Sequence, residues 1–188
     1  MSQQGSPMLT VRRFDPHSDS AAVSALDTSF TTTAVFEVTG DDSGLTLSLA
    51  QLDAPLTKRF PLDDLDAEDR PWSDAWVAEA DSVLVGFAAT SFESWNRRLV
   101  LWHLYVAPEL RRRGVAARLL AEVEQHAQAV GARHIWLETS SLNVPGASAY
   151  RRLGFELTGI DRTLYDATPA EGEIALFFSK PAPAASPV

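Results

Sequence analysis

The sequence predicts a chain of the α/β class with mixed α+β character, a mostly antiparallel sheet flanked by helices. Three observations predict it. With 188 residues, 45% of them hydrophobic, the chain has material for about one domain with a sizeable core. β-rich runs paired around Gly/Asp turns fill the first half. In the second half, two stretches of helical period, each stopped by a glycine, alternate with apolar strands.

The first strand is expected at 9–14, ended by the turn signal Asp15-Pro16. Ser18 or Asp19 can then cap a short helix through Ala21, Val23, Leu26 and Asp27. The runs 34–38 and 45–52 flank a Gly/Asp-rich turn and predict an extra hairpin near the N-terminus. Residues 61–74 (PLDDLDAEDRPWSD) are acidic and turn-rich and read as an exposed loop. The runs 76–80 and 83–92 make a second hairpin around Asp81-Ser82, and 98–106 (RLVLWHLYV) reads as a central strand covered on both faces. A helix over 113–130 places Val115, Leu119, Leu120, Val123, Ala127 and Val130 on one face, with Gly131 as its stop. A buried strand at 134–139 follows, then a helix over 145–153 that opens on Pro145 and ends at Gly154. Strands at 155–161 and 173–178 close the fold. The expected domain spans 9–180, with residues 1–8 a disordered end or cloning scar and 181–188 a disordered tail.

Composition excludes several classes. Without cysteine there is no disulfide, thiolate metal site or cysteine nucleophile. No apolar run approaches the ~18 residues of a membrane span, and the first residues lack a secretory signal, so a cytoplasmic protein with no membrane partner is expected. A formal charge of −9 argues against nucleic-acid binding. That charge is uneven: residues 1–95 carry a balance of −11 and residues 96–188 one of +2. An acidic front suits a cationic ligand, and a basic back suits an anion. No His/Asp/Glu cluster has metal-ligand spacing, so no metal is expected.

The segment from Leu104 to Ala116 (LYVAPELRRRGVA) carries the most chemistry. A buried strand ends at Pro108, a basic loop follows, and a helix opens near Gly114. The first turn of a helix offers unpaired N–H groups and the positive end of the dipole. Glycine there lets an anion approach the main chain, and Arg111, Arg112 and Arg113 add charge. No G-K-[ST] follows and no G-x-G-x-x-G is present, so neither a Walker loop nor a dinucleotide fingerprint is formed.

Arg111-x-x-Gly114-x-Ala116, after a strand ending in Val106-x-Pro, resembles the cofactor motif of the GNAT acyltransferases, [QR]-x-x-G-x-[GA]. About 30 residues on, Asn143 followed by Ala149-Tyr150-Arg151-Arg152-Leu153-Gly154-Phe155 resembles that family's second signature. The resemblance implies a GNAT fold: a mixed, mostly antiparallel sheet whose two central parallel strands splay apart to receive acetyl-CoA. Unpaired strand groups would bind an amide-rich arm much as an added strand does. It further implies main-chain contacts to the cofactor at Leu104 and Val106, a diphosphate site at Arg111, Arg112, Arg113, Gly114, Val115 and Ala116, and contacts from Asn143 and Tyr150. Dimers are common in that family, which admits a homodimer.

Segments outside these motifs are similar to one group within the family, the streptothricin (nourseothricin) acetyltransferases. They are 25–32 (ALDTSFTT), 55–58 (PLTK), 95–99 (WNRRL), 164–166 (LYD) and 171–176, and together they span almost the whole folded chain. The implied reaction moves acetyl from acetyl-CoA to a primary amine on the β-lysine part of the antibiotic, a cationic small molecule. Removing that positive charge inactivates the drug and confers resistance.

Amine acetylation requires a proton acceptor for the ammonium, donors for the oxyanion and a proton for the departing thiolate. Tyr150 is the candidate donor, because a phenol of pKa ~10 stays protonated at neutral pH. Glu138, a carboxylate in an apolar strand, and His103, in the strand before, are the two candidate bases. The chain departs from its relatives around His103, where Trp102, His103 and Tyr105 stand in place of acidic residues. Trp95, Glu138, Asp161 and Tyr165 are candidates to bind the cationic acceptor through aromatic faces and carboxylates. Two rival readings share the cofactor motifs: an acetyltransferase of a protein N-terminus or polyamine, and a non-catalytic acetyl-CoA-binding regulatory module.

Overall fold

The computed structural model describes residues 8–184; the expectations for 1–7 and 185–188 lie outside the described residues. The one domain expected over 9–180 takes the form of two compact units, each assembled from discontinuous segments. Of the described residues, 8–28, 60–135 and 182–184 fall in the first, and 29–59 and 136–181 in the second.

In the first unit, β1 (Leu9–Arg13) leads into α1 (Pro16–Ser24). The cap is Asp15, whose carboxylate accepts the His17 N–H at 3.0 Å, rather than Ser18 or Asp19. Asp19 points back instead and takes the Arg12 guanidinium at 2.6 and 2.9 Å. Proline at the first helical position makes the earlier start favourable, since its missing N–H needs no partner there.

Four antiparallel strands lie in the order β1, β4 (Asp74–Ala80), β5 (Val83–Glu93), β6 (Arg98–Val106), with β2 (Ser29–Asp41) and β3 (Gly44–Arg59) belonging to the second unit. Register runs from Leu9 opposite Ala80 to Gly86 opposite Val106. A single turn of 3-10 helix, Pro108–Leu110, precedes α2 (Val115–Ala129). Helix α2 packs on β4, β5 and β6 with its apolar stripe. Leu119, Val123 and Ala127 are fully buried with Val77 and Phe87, each of the larger ones contributing about 1.5–3 kcal/mol. Gly86 sets the approach: a Cβ there would stand 3.0 Å from Leu119 and 3.1 Å from the Tyr105 carbonyl.

Two expectations are corrected here. Strand β6 is buried over Leu99, Val100 and Leu101 and again at Val106; between them Trp102 is exposed, and His103, Leu104 and Tyr105 are half-buried. The acidic segment 61–74 is not simply an exposed loop. Leu65 and Trp72 are buried within it, and Trp72 packs edge-on against Phe14 and Phe87. The two apolar side chains pull a charged segment onto the unit. The first residues of the expected tail are also held, with the Ala182 N–H donating to the Arg133 carbonyl at 3.0 Å and Gln128 to Ala184 at 2.9 Å.

The second unit contains the hairpin β2 (Ser29–Asp41) and β3 (Gly44–Arg59), far longer than its two predicted runs. The two predicted runs pair directly, from Ala34 opposite Gln51 to Val38 opposite Leu47, and a register shift between Thr32 and Ala34 carries the ribbon on to Ser29 opposite Arg59. Strands β7 (His134–Ser140, except its first two residues), β9 (Ala175–Pro181) and β8 (Glu156–Asp161) lie side by side in that order. Helix α3 (Val144–Arg152) packs against β2, where the Arg151 guanidinium lies 5.6 Å from the Phe36 ring. Leu137, Phe155, Leu176 and Phe178 form the core.

Candidate functional site

In the first unit, the chain leaves β6 and turns into α2 through two left-handed residues, Arg112 at φ 61° and Gly114 at φ 85°. The first helical bond is Arg118 N–H to the Gly114 carbonyl at 3.1 Å, so the N–H groups ahead of it have no intrahelical acceptor. Val115, 2% exposed, anchors this turn in the core. A Cβ at Gly114 would meet nothing within 4 Å, so the face over the helix start is open. Open N–H groups, a helix N-terminus and exposed Arg112 and Arg113 fit a diphosphate. Arg111 has a different task from its neighbours. Its Nε donates to the Val106 carbonyl at 3.0 Å, tying the loop to the end of β6.

Leu104 and Val106 pair with Ala88 and Gly86 of β5. Between them and the buried head of β6 sits His103. Its Nε2 lies 2.8 Å from Asp64 Oδ2, and the same oxygen accepts the Trp72 indole N–H at 2.8 Å. Phe87 and Tyr105 flank the imidazole, with ring centroids 5.8 and 5.6 Å away. Burial works against charge on Asp64, but the hydrogen bond and charge of His103, and the bond from Trp72, hold it below the usual carboxylate range. Sequence reasoning missed Asp64 and Trp72; the signal was an aromatic residue and a leucine inside an otherwise acidic loop.

In the second unit, β7 presents Glu138 half-buried, with the Tyr165 hydroxyl donating to it. Burial raises Glu138 above the ordinary carboxylate value, opposed by the Tyr165 bond and the Lys58 charge. Lys58 pairs with Glu173, which also accepts the Ser140 hydroxyl. This pair joins β3 to the segment before β9, 115 residues apart, so nothing local in the sequence could match them. Tyr150, inside α3, packs against Phe155 and Phe178 at 6.1 and 6.0 Å. Burial of its phenol, and then the Glu138 charge, push it up to about 12. It is therefore a protonated donor across the neutral range.

Other expected residues are placed differently. Asn143 is buried and caps α3, accepting the Gly146 N–H at 2.9 Å and donating to Thr139 at 2.9 Å. Gly146 makes this possible, since a Cβ would stand 2.2 Å from the Asn143 amide. The Asp161 carboxylate closes a turn, accepting from Thr163 N–H and hydroxyl at 2.8 Å and from Leu164 N–H at 3.1 Å. Trp95 is 82% exposed beyond β5, in the turn to β6. The structure brings Glu138, Tyr165, Lys58 and Glu173 together, with Tyr150 in the field of Glu138. Among the described residues no group of three or more His, Asp or Glu could hold a metal ion, and no helix is long and apolar enough to cross a membrane.

An open helix start after an apolar strand, followed by a half-buried tyrosine on the next helix, is the arrangement that the GNAT resemblance implies for an acyl-transfer protein. Residues 46–155 match the model of the acetyltransferase (GNAT) family, and the chain belongs to that family. A streptothricin acetyltransferase of Streptomyces lavendulae is 40% identical over 172 residues, which cover 88% of this chain and 91% of that protein. The crystal structure of a nourseothricin acetyltransferase is 44% identical and superposes with a TM-score of 0.84, covering 93% of this chain and 99% of the other. A Bacillus anthracis structure solved with acetyl coenzyme A, 21% identical, shares the fold at a TM-score of 0.77 over 93% of this chain and 99% of that one.

Proposed function

We propose that this protein is an acetyl-CoA-dependent N-acetyltransferase that acetylates a primary amine on the β-lysine part of streptothricin-class antibiotics and so confers resistance. The observation that carries the reading is the 40% identity to a streptothricin acetyltransferase over 88% of the chain, well beyond the cofactor motifs. The −11 balance of residues 1–95 supports it, because an acidic surface draws a polycationic acceptor.

Acetyl-CoA supplies an acetyl group activated as a thioester. The N–H groups at Arg112 to Ala116 would hold its diphosphate, and main-chain groups at Leu104 and Val106 its amide arm and acetyl carbonyl. Tyr150 would give its proton to the departing thiolate, a role suited to a phenol held at about 12. Glu138, oriented by Tyr165, would bind the acceptor's cationic group; in the first unit, the exposed face of Trp95 is a separate candidate for a cation. Glu138 and His103 are the two side chains able to take the ammonium proton. Asp161 and the Asn143 side chain are left to the turn and the helix cap that they build. The proposal keeps the expected cytoplasmic location and admits a homodimer.

The test is an acceptor panel of streptothricin, spermidine and short peptides, followed by thiol release. Streptothricin should be turned over with the highest kcat/KM. Turnover of peptide or spermidine without streptothricin would reject the acceptor. Coenzyme binding with no thiol release for any amine would instead indicate a silent binding module.

A further inference from the structure

We propose that Asp64 is a positioning residue that takes the Nε2–H of His103 and leaves Nδ1 as the lone pair that receives the acceptor's proton. This deepens the acetyltransferase reading and rests on it. Asp64 Oδ2 is satisfied twice, by His103 Nε2 and by the Trp72 indole, both at 2.8 Å, while its Oδ1 is buried without a hydrogen-bond partner among the described residues. On the far side of the ring, His103 Nδ1 is buried with no hydrogen-bond partner among the described residues. Buried nitrogens without partners are rare and call for a reason, because each forfeits a hydrogen bond that water would supply.

The carboxylate fixes which nitrogen carries the proton. Asp64 Oδ2 already accepts the Trp72 indole N–H, and a carboxylate oxygen offers only lone pairs, so Nε2 is the donor to it and Nδ1 the acceptor in the neutral ring. The Trp72 indole donates to the same oxygen and prevents the carboxylate from swinging away. Trp72 and Phe87 pack against the imidazole, with centroids 6.4 and 5.8 Å away, and limit its rotation. The neutral ring is thus held with one lone pair unspent. In the step, an N–H bond of the acceptor's ammonium breaks, directly or through one water, and its electron pair stays on the amine. A bond from Nδ1 to that proton forms. The resulting imidazolium faces the Asp64 carboxylate, which stabilises its charge as it appears.

Nitrogen-15 NMR of the full-length protein labelled at histidine tests the tautomer. At neutral pH His103 should show a protonated Nε2 and an unprotonated Nδ1. Asp64→Asn tests the charge, because its amide oxygen can still accept from Nε2 and from Trp72. It should keep the tautomer and the KM for acetyl-CoA while kcat falls by about tenfold or more. Asp64→Ala should lose the tautomer preference; should it fail to fold, Asp64→Asn alone decides. A protonated Nδ1 in the wild type, or an unchanged kcat in Asp64→Asn, would overturn the proposal. If the wild type acetylates no streptothricin, the acceptor reading fails, while the NMR measurement still decides the Asp64–His103 arrangement.

Discussion

The two units present their chemistry in opposite ways. At the start of α2, in the first unit, the reactive surface is main chain: left-handed turns at Arg112 and Gly114 expose N–H groups, and the side chain of Arg111 is occupied in bracing β6. Around β7, in the second unit, the surface is side chain: Tyr165 on Glu138, Lys58 and Ser140 on Glu173, with Tyr150 nearby in charge terms. A backbone site tolerates replacement of its neighbours provided the turn survives. A side-chain network does not, since removing one member leaves a buried partner unsatisfied. This contrast governs where single substitutions are loud and where they are quiet.

The largest effect is expected from Tyr150→Phe. Loss of the proposed proton donor should lower kcat by about a hundredfold. The affinity for acetyl-CoA, measured by calorimetry, should change little. Equal losses in rate and binding would mean that the tyrosine only fills the core beside Phe155 and Phe178.

Glu138→Gln comes next. Its loss should raise the KM for streptothricin by roughly tenfold, the worth of one charged hydrogen bond, with a smaller change in kcat. The sign of the pH dependence follows from burial, which raises the Glu138 pKa. As pH falls through that raised value the carboxylate is protonated and the wild-type KM climbs, whereas the glutamine variant should be flat. If the variant instead loses kcat and its acidic limb together, Glu138 is the proton acceptor and His103 is not.

The same raised pKa carries a stability consequence. The folded protein holds this proton more tightly than the unfolded chain, so the favourable contribution is complete below the unfolded carboxyl pKa. It is lost as pH rises through the folded value. Melting temperatures should therefore diverge with rising pH, Glu138→Gln gaining on the wild type between acid and neutral conditions. A constant gap across that range would contradict it.

The backbone site is probed most sharply by Gly114→Ala. The methyl group finds open space, but the residue sits at φ 85°, which costs an alanine about 1–2 kcal/mol. The turn should relax, and the KM for acetyl-CoA should rise by roughly tenfold with kcat nearly intact. Smallest of all is Arg113→Ala, an exposed charge expected to change that KM by only about two- to threefold, and less at high salt. A larger loss at Arg113 than at Gly114 would reverse the contrast between main chain and side chain.

Some parts of this molecule could be read without coordinates. Helix α2 was visible because Val115, Leu119, Leu120, Val123 and Ala127 recur at helical spacing, and all five are buried. The glycine of the loop before α2 was visible because its need is local, a left-handed turn. Tyr150 could be placed in a helix and assigned a donor role, although the charge that raises its pKa could not be seen.

By itself, the sequence determined the order of strands and helices, the glycine-dependent turn ahead of α2 and the family resemblance, since these depend on periodicity and on residues adjacent in the chain. Only the tertiary structure decided which polar groups are used up and which remain available. Asp161 and Asn143 are consumed by a turn and a cap, and Arg111 by a carbonyl. Asp64 meets His103 from 39 residues away, and Lys58 meets Glu173 from 115. Hydrogen bonds are short-ranged and directional, so a partner distant in sequence leaves no periodic trace along the chain.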